Sequence, residues 1–264
     1  MGKIIGVVSL KGGVGKTSAV VSLGAALSEM GKKVLLVDGN LSSPTLGLHL
    51  KIVNPEKTLH HVLSRTANAR DAIYEYGGIH LMPASIFERI QVSPLKLKDN
   101  ISGLKRSYDF ILLDSSPSLD EETLGVILAS DEIFVVTTPD RPTLSSTMKA
   151  IKLAKQRGTP ISGLILNKVH NRRFEIPLRE VEEALEIPVL AVVPYDTNVL
   201  EALHEMIPST SHKPRSKGSI EYKKLAGVLA GEKYRQPVKD FFKKLTPSRQ
   251  EINREIFYKR VFNE

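Results

Sequence analysis

Near its start the chain reads KIIGVVSLKGGVGKT, from Lys3 to Thr17. An apolar, β-branched run feeds a loop of glycines that ends in lysine and threonine. Gly12, Gly13 and Gly15 let the backbone wrap an anion closely, with N–H groups turned inward and no Cβ in the way. Lys16 is then placed to reach the β- and γ-phosphates of a nucleoside triphosphate, and the Thr17 hydroxyl to sit on Mg²⁺. A helix starting here points its positive end at the same anion.

Two aspartates stand where such a site needs acidic groups. KVLLVD puts Asp38, and YDFILLD puts Asp114, at the carboxyl end of a short apolar run. Runs of this kind are buried parallel strands, and open α/β sheets bind ligands beyond the carboxyl ends of their strands. Asp114 is expected to organise Mg²⁺.

The loop departs from the general G-x-x-x-x-G-K-[ST] pattern: Leu10 replaces the first glycine and an extra lysine, Lys11, opens the loop. KGGVGKT at Lys11–Thr17 resembles the deviant Walker A loop of the MinD/ParA family of ATPases. The resemblance covers about residues 1–231 and implies ATP/ADP and Mg²⁺ as cofactors. The cradle would run through Gly12, Gly13, Val14, Gly15, Lys16, Thr17 and Ser18, with Thr17 and Asp114 on the metal. It further implies that Lys11 contacts phosphate across a nucleotide-sandwiched homodimer, and that Asn167, ending the strand GLILN, reads the adenine edge. The segment that Asp38 opens, DGNLSSPTLGLHL, resembles the family's switch I, which implies that it responds to the γ-phosphate; in the family, an aspartate two residues after the strand-end aspartate orients the attacking water. Here that residue is Asn40, which can hydrogen-bond a water but cannot take its proton, so hydrolysis is expected to be slow unless Asp38 or another carboxylate covers the role. The residues expected to act on the reaction are thus Lys11, Lys16, Asp38 and Asn40. Ser115 to Leu119 after Asp114 resemble the ParA switch more than that of MinD.

The elements that must position these residues follow from periodicity. Helices are expected at Lys16–Met30, Thr143–Gln156, Pro177–Leu185 and Ser219–Leu229, the second with Met148, Ile151 and Ala154 on one side. Strands are expected at Ile4–Ser9, Lys33–Asp38, His80–Ala84, Tyr108–Asp114, Glu132–Thr138, Ile161–Asn167 and Val189–Pro194, and His204 to Gly218 reads as a basic loop. Together they predict a doubly wound, largely parallel α/β sheet with helices on both faces, as one domain over 1–231. His60 and His61, adjacent on a helix, project to different faces and lack the spacing of a metal pair.

The 264 residues carry a net charge of +8, which favours an acidic partner. There is no cysteine, which excludes thiolate metal and iron–sulfur chemistry. No apolar run reaches the roughly 18 residues that span a bilayer, so a cytoplasmic protein is expected. Residues 232–264 hold nine Lys/Arg against five Asp/Glu. Val238, Phe241, Phe242 and Leu245 form an apolar stripe, and Ser248 with Glu251 forms a capping box for a second helix. This tail either packs on its own domain or a partner chain, or attaches the ATP dimer peripherally to the inner face of an anionic membrane. Lys149, Lys152, Lys155, Arg172, Arg173, Lys213, Arg215 and Lys217 are the candidates for nonspecific DNA contact. Three readings stay open: a MinD-type dimerisation switch for cell division or other polar machinery, with an activating or cargo protein; a ParA-like partition ATPase on DNA; and an ATP-gated scaffold with little hydrolysis.

Overall fold

A computed structural model describes residues 2–87, 90–232 and 247–262. In chain order the elements are β1 (Lys3–Val8), α1 (Lys16–Glu29), β2 (Val34–Asp38), α2 (Leu59–Leu63), β3 (Tyr74–Tyr76), β4 (Ile79–Met82), α3 (Leu97–Ile101) and β5 (Phe110–Asp114). There follow α4 (Glu121–Ala129), β6 (Glu132–Thr137), α5 (Arg141–Gln156), β7 (Ile161–Val169), α6 (Leu178–Leu185), β8 (Val189–Pro194), α7 (Asn198–His204), α8 (Ser209–His212), α9 (Lys217–Ala230) and α10 (Arg249–Phe262). The strands form one eight-stranded sheet in the order β3-β4-β2-β5-β1-β6-β7-β8. All neighbours are parallel except β3 and β4. The doubly wound fold expected from the strand pattern is therefore present, with one antiparallel strand added at its edge.

Alternation along the strands divides the core in two, because successive side chains leave a strand on opposite faces. Ile4 and Val8 of β1, Leu35 and Val37 of β2, and Ile111 and Leu113 of β5 face a cluster covered by α2 to α6. Ile5 and Val7, Leu36 and Leu112 face the other, covered by α1, α9 and Phe257 of α10. From β1 the chain winds outward on one side, to β2 and β4, and after β5 it crosses past β1 to β6, β7 and β8 on the other, so the loop after β1 lies near the reversal point of the winding, where such sheets bind ligands.

Three local expectations need correction. Met148 is half exposed, since α5 buries the row Thr143, Thr147, Ala150, Ile151 and Ala154 and that residue falls outside it. The segment read as a basic loop, 204–218, contains the last residue of α7, all of α8 and the first two residues of α9, whose start is capped by Ser216 accepting from the Ser219 N–H. The helix α4, which lies between β5 and β6 in the chain, has no counterpart in the sequence reading; its cap is Asp120, accepting from the Thr123 N–H at 2.9 Å.

The apolar stripe Val238, Phe241, Phe242 and Leu245 lies outside the described residues. After it, half of the expected capping box is formed: both the N–H and the hydroxyl of Ser248 donate to the Glu251 carboxylate, while the Glu251 N–H donates to the Ser248 carbonyl and not to its hydroxyl. Helix α10 then docks on the sheet edge. Asn253 donates to the Val189 carbonyl at 2.9 Å, buried Arg254 donates to the Leu190 carbonyl and to Glu221 at 2.8 Å each, and Phe257 is buried. Polar side chains of α10 thus reach two carbonyls of the edge strand β8. No helix among the described residues is long and apolar enough to cross a membrane.

Candidate nucleotide-binding site

β1 delivers the glycine loop to the carboxyl edge of the sheet, and α1 leaves it at Lys16 without a break. Gly13 and Gly15 take left-handed conformations, with φ of 77° and 90°. These are strained for a side-chain-bearing residue, so glycine is needed at both. A Cβ on Gly15 would also run into the Asn167 amide, whereas Gly12 and Gly13 border open space. The loop closes one side of a cleft of about 540 Å³, which is in the range of small-ligand sites.

Inside the cleft the charges are paired. Lys16, 7% exposed, donates to Asp114 Oδ1 at 2.8 Å, and the Thr17 hydroxyl donates to Asp114 Oδ2 at 2.7 Å. Asp38 is the register partner of Asp114 across β2 and β5, so two carboxylates end neighbouring strands. Burial, reinforced by the Asp114 charge, pushes the Asp38 carboxyl up to about 7; N–H groups of Leu46 and Asn40 and the Lys16 ammonium pull the other way. With Asp38 deprotonated, two carboxylates beside one lysine leave a residual negative charge, which is what a magnesium ion neutralises. A triphosphate would take Lys16 in exchange for Asp114, and Mg²⁺ would take Asp114 in exchange for Lys16. The residues present therefore fit a magnesium–nucleotide pair.

Asn40 lines the cleft, 7% exposed. Its N–H donates to Asp38 Oδ1 and its side-chain amide donates to the Ser43 carbonyl. With the amide nitrogen so engaged, the amide oxygen remains to accept from a water. His49, absent from the sequence reading, also faces the cleft; burial lowers its pKa, opposed by the Asp114 charge, so its imidazole is neutral near pH 7.

Across the cleft, β7 supplies two side chains to the loop. Asn167 donates to the Val14 carbonyl at 2.7 Å and Lys168 Nζ donates to the Gly13 carbonyl at 2.6 Å. The sequence reading singled out the first and passed over the second, although the two are adjacent. Val14 and Ser18 line the cleft, as does Tyr195, which stacks on His170 with ring centroids 4.7 Å apart.

Lys11 points elsewhere. Its Nζ donates to Asp140 Oδ1 at 3.2 Å and to the Thr143 hydroxyl at 2.6 Å, and its side chain is 41% exposed. Asp140 caps α5. Burial raises its pKa, but hydrogen bonds from Thr138, from the side chain and backbone of Thr143, and from Lys11 outweigh this and hold it at about 2.

The remaining candidates do not converge here. His61 closes the capping box of α2 with Thr58, and His60 accepts from the Ser85 N–H; neither joins a group of three or more His, Cys, Asp and Glu placed to hold a metal ion among the described residues. The basic residues are exposed but divided. Lys149, Lys152 and Lys155 ride on α5 on one face of the sheet, Lys155 paired with Glu186, while Lys213, Arg215 and Lys217 lead into α9 on the other.

Comparison with known proteins agrees with this geometry. A protein-family model described as an AAA domain matches residues 2–160. An ATP-binding protein of Methanocaldococcus jannaschii is 33% identical over 231 residues, 86% of this chain and 88% of that protein. The cell division ATPase MinD of Pyrococcus furiosus superposes with a TM-score of 0.82 at 39% identity, over 86% of this chain and 97% of the other. The septum site-determining protein MinD of Pyrococcus horikoshii, solved as a complex with Mg-ADP, gives 0.81 at 39% identity over 86% and 95%. With a glycine loop that carries an extra lysine, paired strand-end aspartates and relatives matched over most of its length, the chain belongs to the MinD/ParA family of P-loop ATPases.

Proposed function

We propose that this protein is a magnesium- and ATP-dependent dimerisation switch of the MinD type, serving the spatial organisation of cell division or of other polar machinery. The observation that carries the reading is the division of labour between the two loop lysines. Lys16 lies buried in the cleft among the groups that fit phosphate and Mg²⁺. Lys11, five residues earlier, is half exposed and held outside by Asp140 and Thr143 through contacts that solvent weakens. A lysine stored at the surface beside the phosphate loop suits a role towards a second copy of the chain. ATP bound to each monomer offers the γ-phosphate, Lys11 leaves Asp140 for the partner's phosphate, and hydrolysis or release separates the pair.

Within one subunit, Gly12 to Ser18 wrap the phosphates with backbone N–H groups, Lys16 neutralises the β- and γ-phosphates, and Thr17 and Asp114 hold the metal. Mg²⁺ supplies charge neutralisation of the triphosphate. Asn40 orients the attacking water through its amide oxygen, but takes no proton, which keeps turnover slow. Asn167 and the Tyr195 side border the base.

Sedimentation velocity with Mg²⁺ and either ATP or ADP tests the reading. The expected result is a dimer with ATP, a monomer with ADP, and a Lys11→Ala variant that binds nucleotide yet stays monomeric. A Lys11→Ala variant that dimerises like the parent overturns the switch. Co-sedimentation with anionic liposomes and with duplex DNA, each with and without ATP, then decides which acidic surface the net positive charge serves.

A further inference from the structure

Glu122, on the first turn of α4, is buried at 8% exposure although it lies outside the cleft and forms no ion pair with a cation among the described residues. One of its oxygens, Oε1, accepts from both donors of Ser42: the backbone N–H at 3.0 Å and the hydroxyl at a shorter distance. The other oxygen, Oε2, is buried without a hydrogen-bond partner. Ser42 sits at the surface, where water could satisfy the same two donors. The carboxylate is thus not needed to keep Ser42 hydrogen-bonded, and it carries an unsatisfied buried oxygen that an apolar side chain would avoid.

What the contact does is join the two halves of the site. On one side, α4 is knitted to the loop that follows Asp114. Ser116 donates to Asp120 at 2.7 Å, Thr123 donates to the Ser116 carbonyl at 3.0 Å, and Pro117 of that loop lines the cleft. On the other side, Ser42 precedes Ser43, whose carbonyl holds the Asn40 amide. We propose that Glu122 is a positioning residue for ATP hydrolysis: by gripping both donors of Ser42 it ties the magnesium-side loop to the segment that carries Asn40, and so fixes the amide oxygen that orients water. This rests on the ATPase reading above. Position 122 acts on the rate and not on binding, because neither Glu122 nor Ser42 touches the cleft that takes the nucleotide.

The experiment is single-turnover hydrolysis together with equilibrium binding of a fluorescent ATP analogue, for the parent, Glu122→Ala, Glu122→Gln and Ser42→Ala. Glu122→Ala is expected to slow hydrolysis about tenfold, as displaced reacting groups do, with affinity within about twofold of the parent. Glu122→Gln keeps an acceptor for both donors and is expected to restore the rate to within about threefold. Ser42→Ala, at an exposed position that does not threaten folding, should slow hydrolysis by a smaller factor, and combining it with Glu122→Ala should slow it no further than Glu122→Ala alone. A rate that is unchanged or raised in Glu122→Ala, a parallel loss of affinity, a Gln variant as slow as the Ala variant, or additive effects of the two alanines each overturns the assignment. A parent that binds no nucleotide overturns the ATPase reading, and this inference with it; a parent that hydrolyses while Glu122→Ala matches it overturns the positioning role alone.

Discussion

Lys11 and Asp140 form an ion pair of 3.2 Å between the glycine loop and the N-terminal cap of α5, residues that lie 129 apart in the chain. Both side chains are more than 40% exposed, so the pair contributes little to stability. Its value lies in where it keeps the ammonium: beside the phosphate cleft, yet turned away from it.

In the proposed ATP dimer, that placement would make the strength of association adjustable. Asp140→Asn keeps an acceptor for the Thr143 N–H, and so the helix cap, while removing the charge that holds Lys11. The ATP dimer should tighten about two- to fivefold, the worth of an exposed ion pair, measured by sedimentation equilibrium. A weaker dimer would mean that Asp140 serves the interface itself.

The pair inside the cleft behaves differently, because Asp114 is fully buried. Lys16→Ala leaves that carboxylate without its ammonium and should lower the unfolding free energy by about 3 kcal/mol in urea titrations without nucleotide. It should also abolish nucleotide binding. Adding Asp114→Asn should recover much of the stability and none of the binding.

Stability should also depend on pH through Asp38. Its folded pKa, about 7, lies above its ordinary 3.8, so the folded state binds the proton more tightly. The stabilisation is complete below about pH 4 and is lost as pH rises through 7. Without nucleotide or Mg²⁺, Tm should therefore fall by several degrees between pH 5 and pH 8. Asp38→Asn should remove that slope, whatever its effect on Tm at a single pH; a slope that persists would place the titrating group elsewhere.

Asn40→Asp introduces a third carboxyl beside Asp38 and Asp114 and gives up the donor to the Ser43 carbonyl. The gain of a proton acceptor should still dominate, raising the single-turnover rate about tenfold. An unchanged rate would remove position 40 from the control of hydrolysis.

At the far edge of the sheet, Phe257→Ala should cost about 3 kcal/mol, since the ring is 3% exposed within the α1 and α9 core cluster. A loss below about 1 kcal/mol would show that α10 is only loosely docked.

Much of the site was legible from the chain because its parts are contiguous. A β-branched run, three glycines at close spacing, a lysine, a threonine and a helical row follow one another from Lys3 to Glu29, and local sterics alone make them strand, loop and helix. The strand-end aspartates were readable for the same reason, each closing its own apolar run. The misjudged Met148 and the overlooked α4 were not, because several rotations of a short helical row are equally periodic and packing chooses among them.

The amino-acid order by itself therefore determined the phosphate loop, the parallel strands and the acidic residues at their ends, all matters of neighbours along the backbone. Only the tertiary structure decided what each side chain meets: Lys11 with Asp140, Asn167 with the Val14 carbonyl, and Glu122 with Ser42, partners 129, 153 and 80 residues apart. Contacts at such separations are set by which strands lie side by side and where the loops between them come to rest, and no periodicity along the chain encodes that.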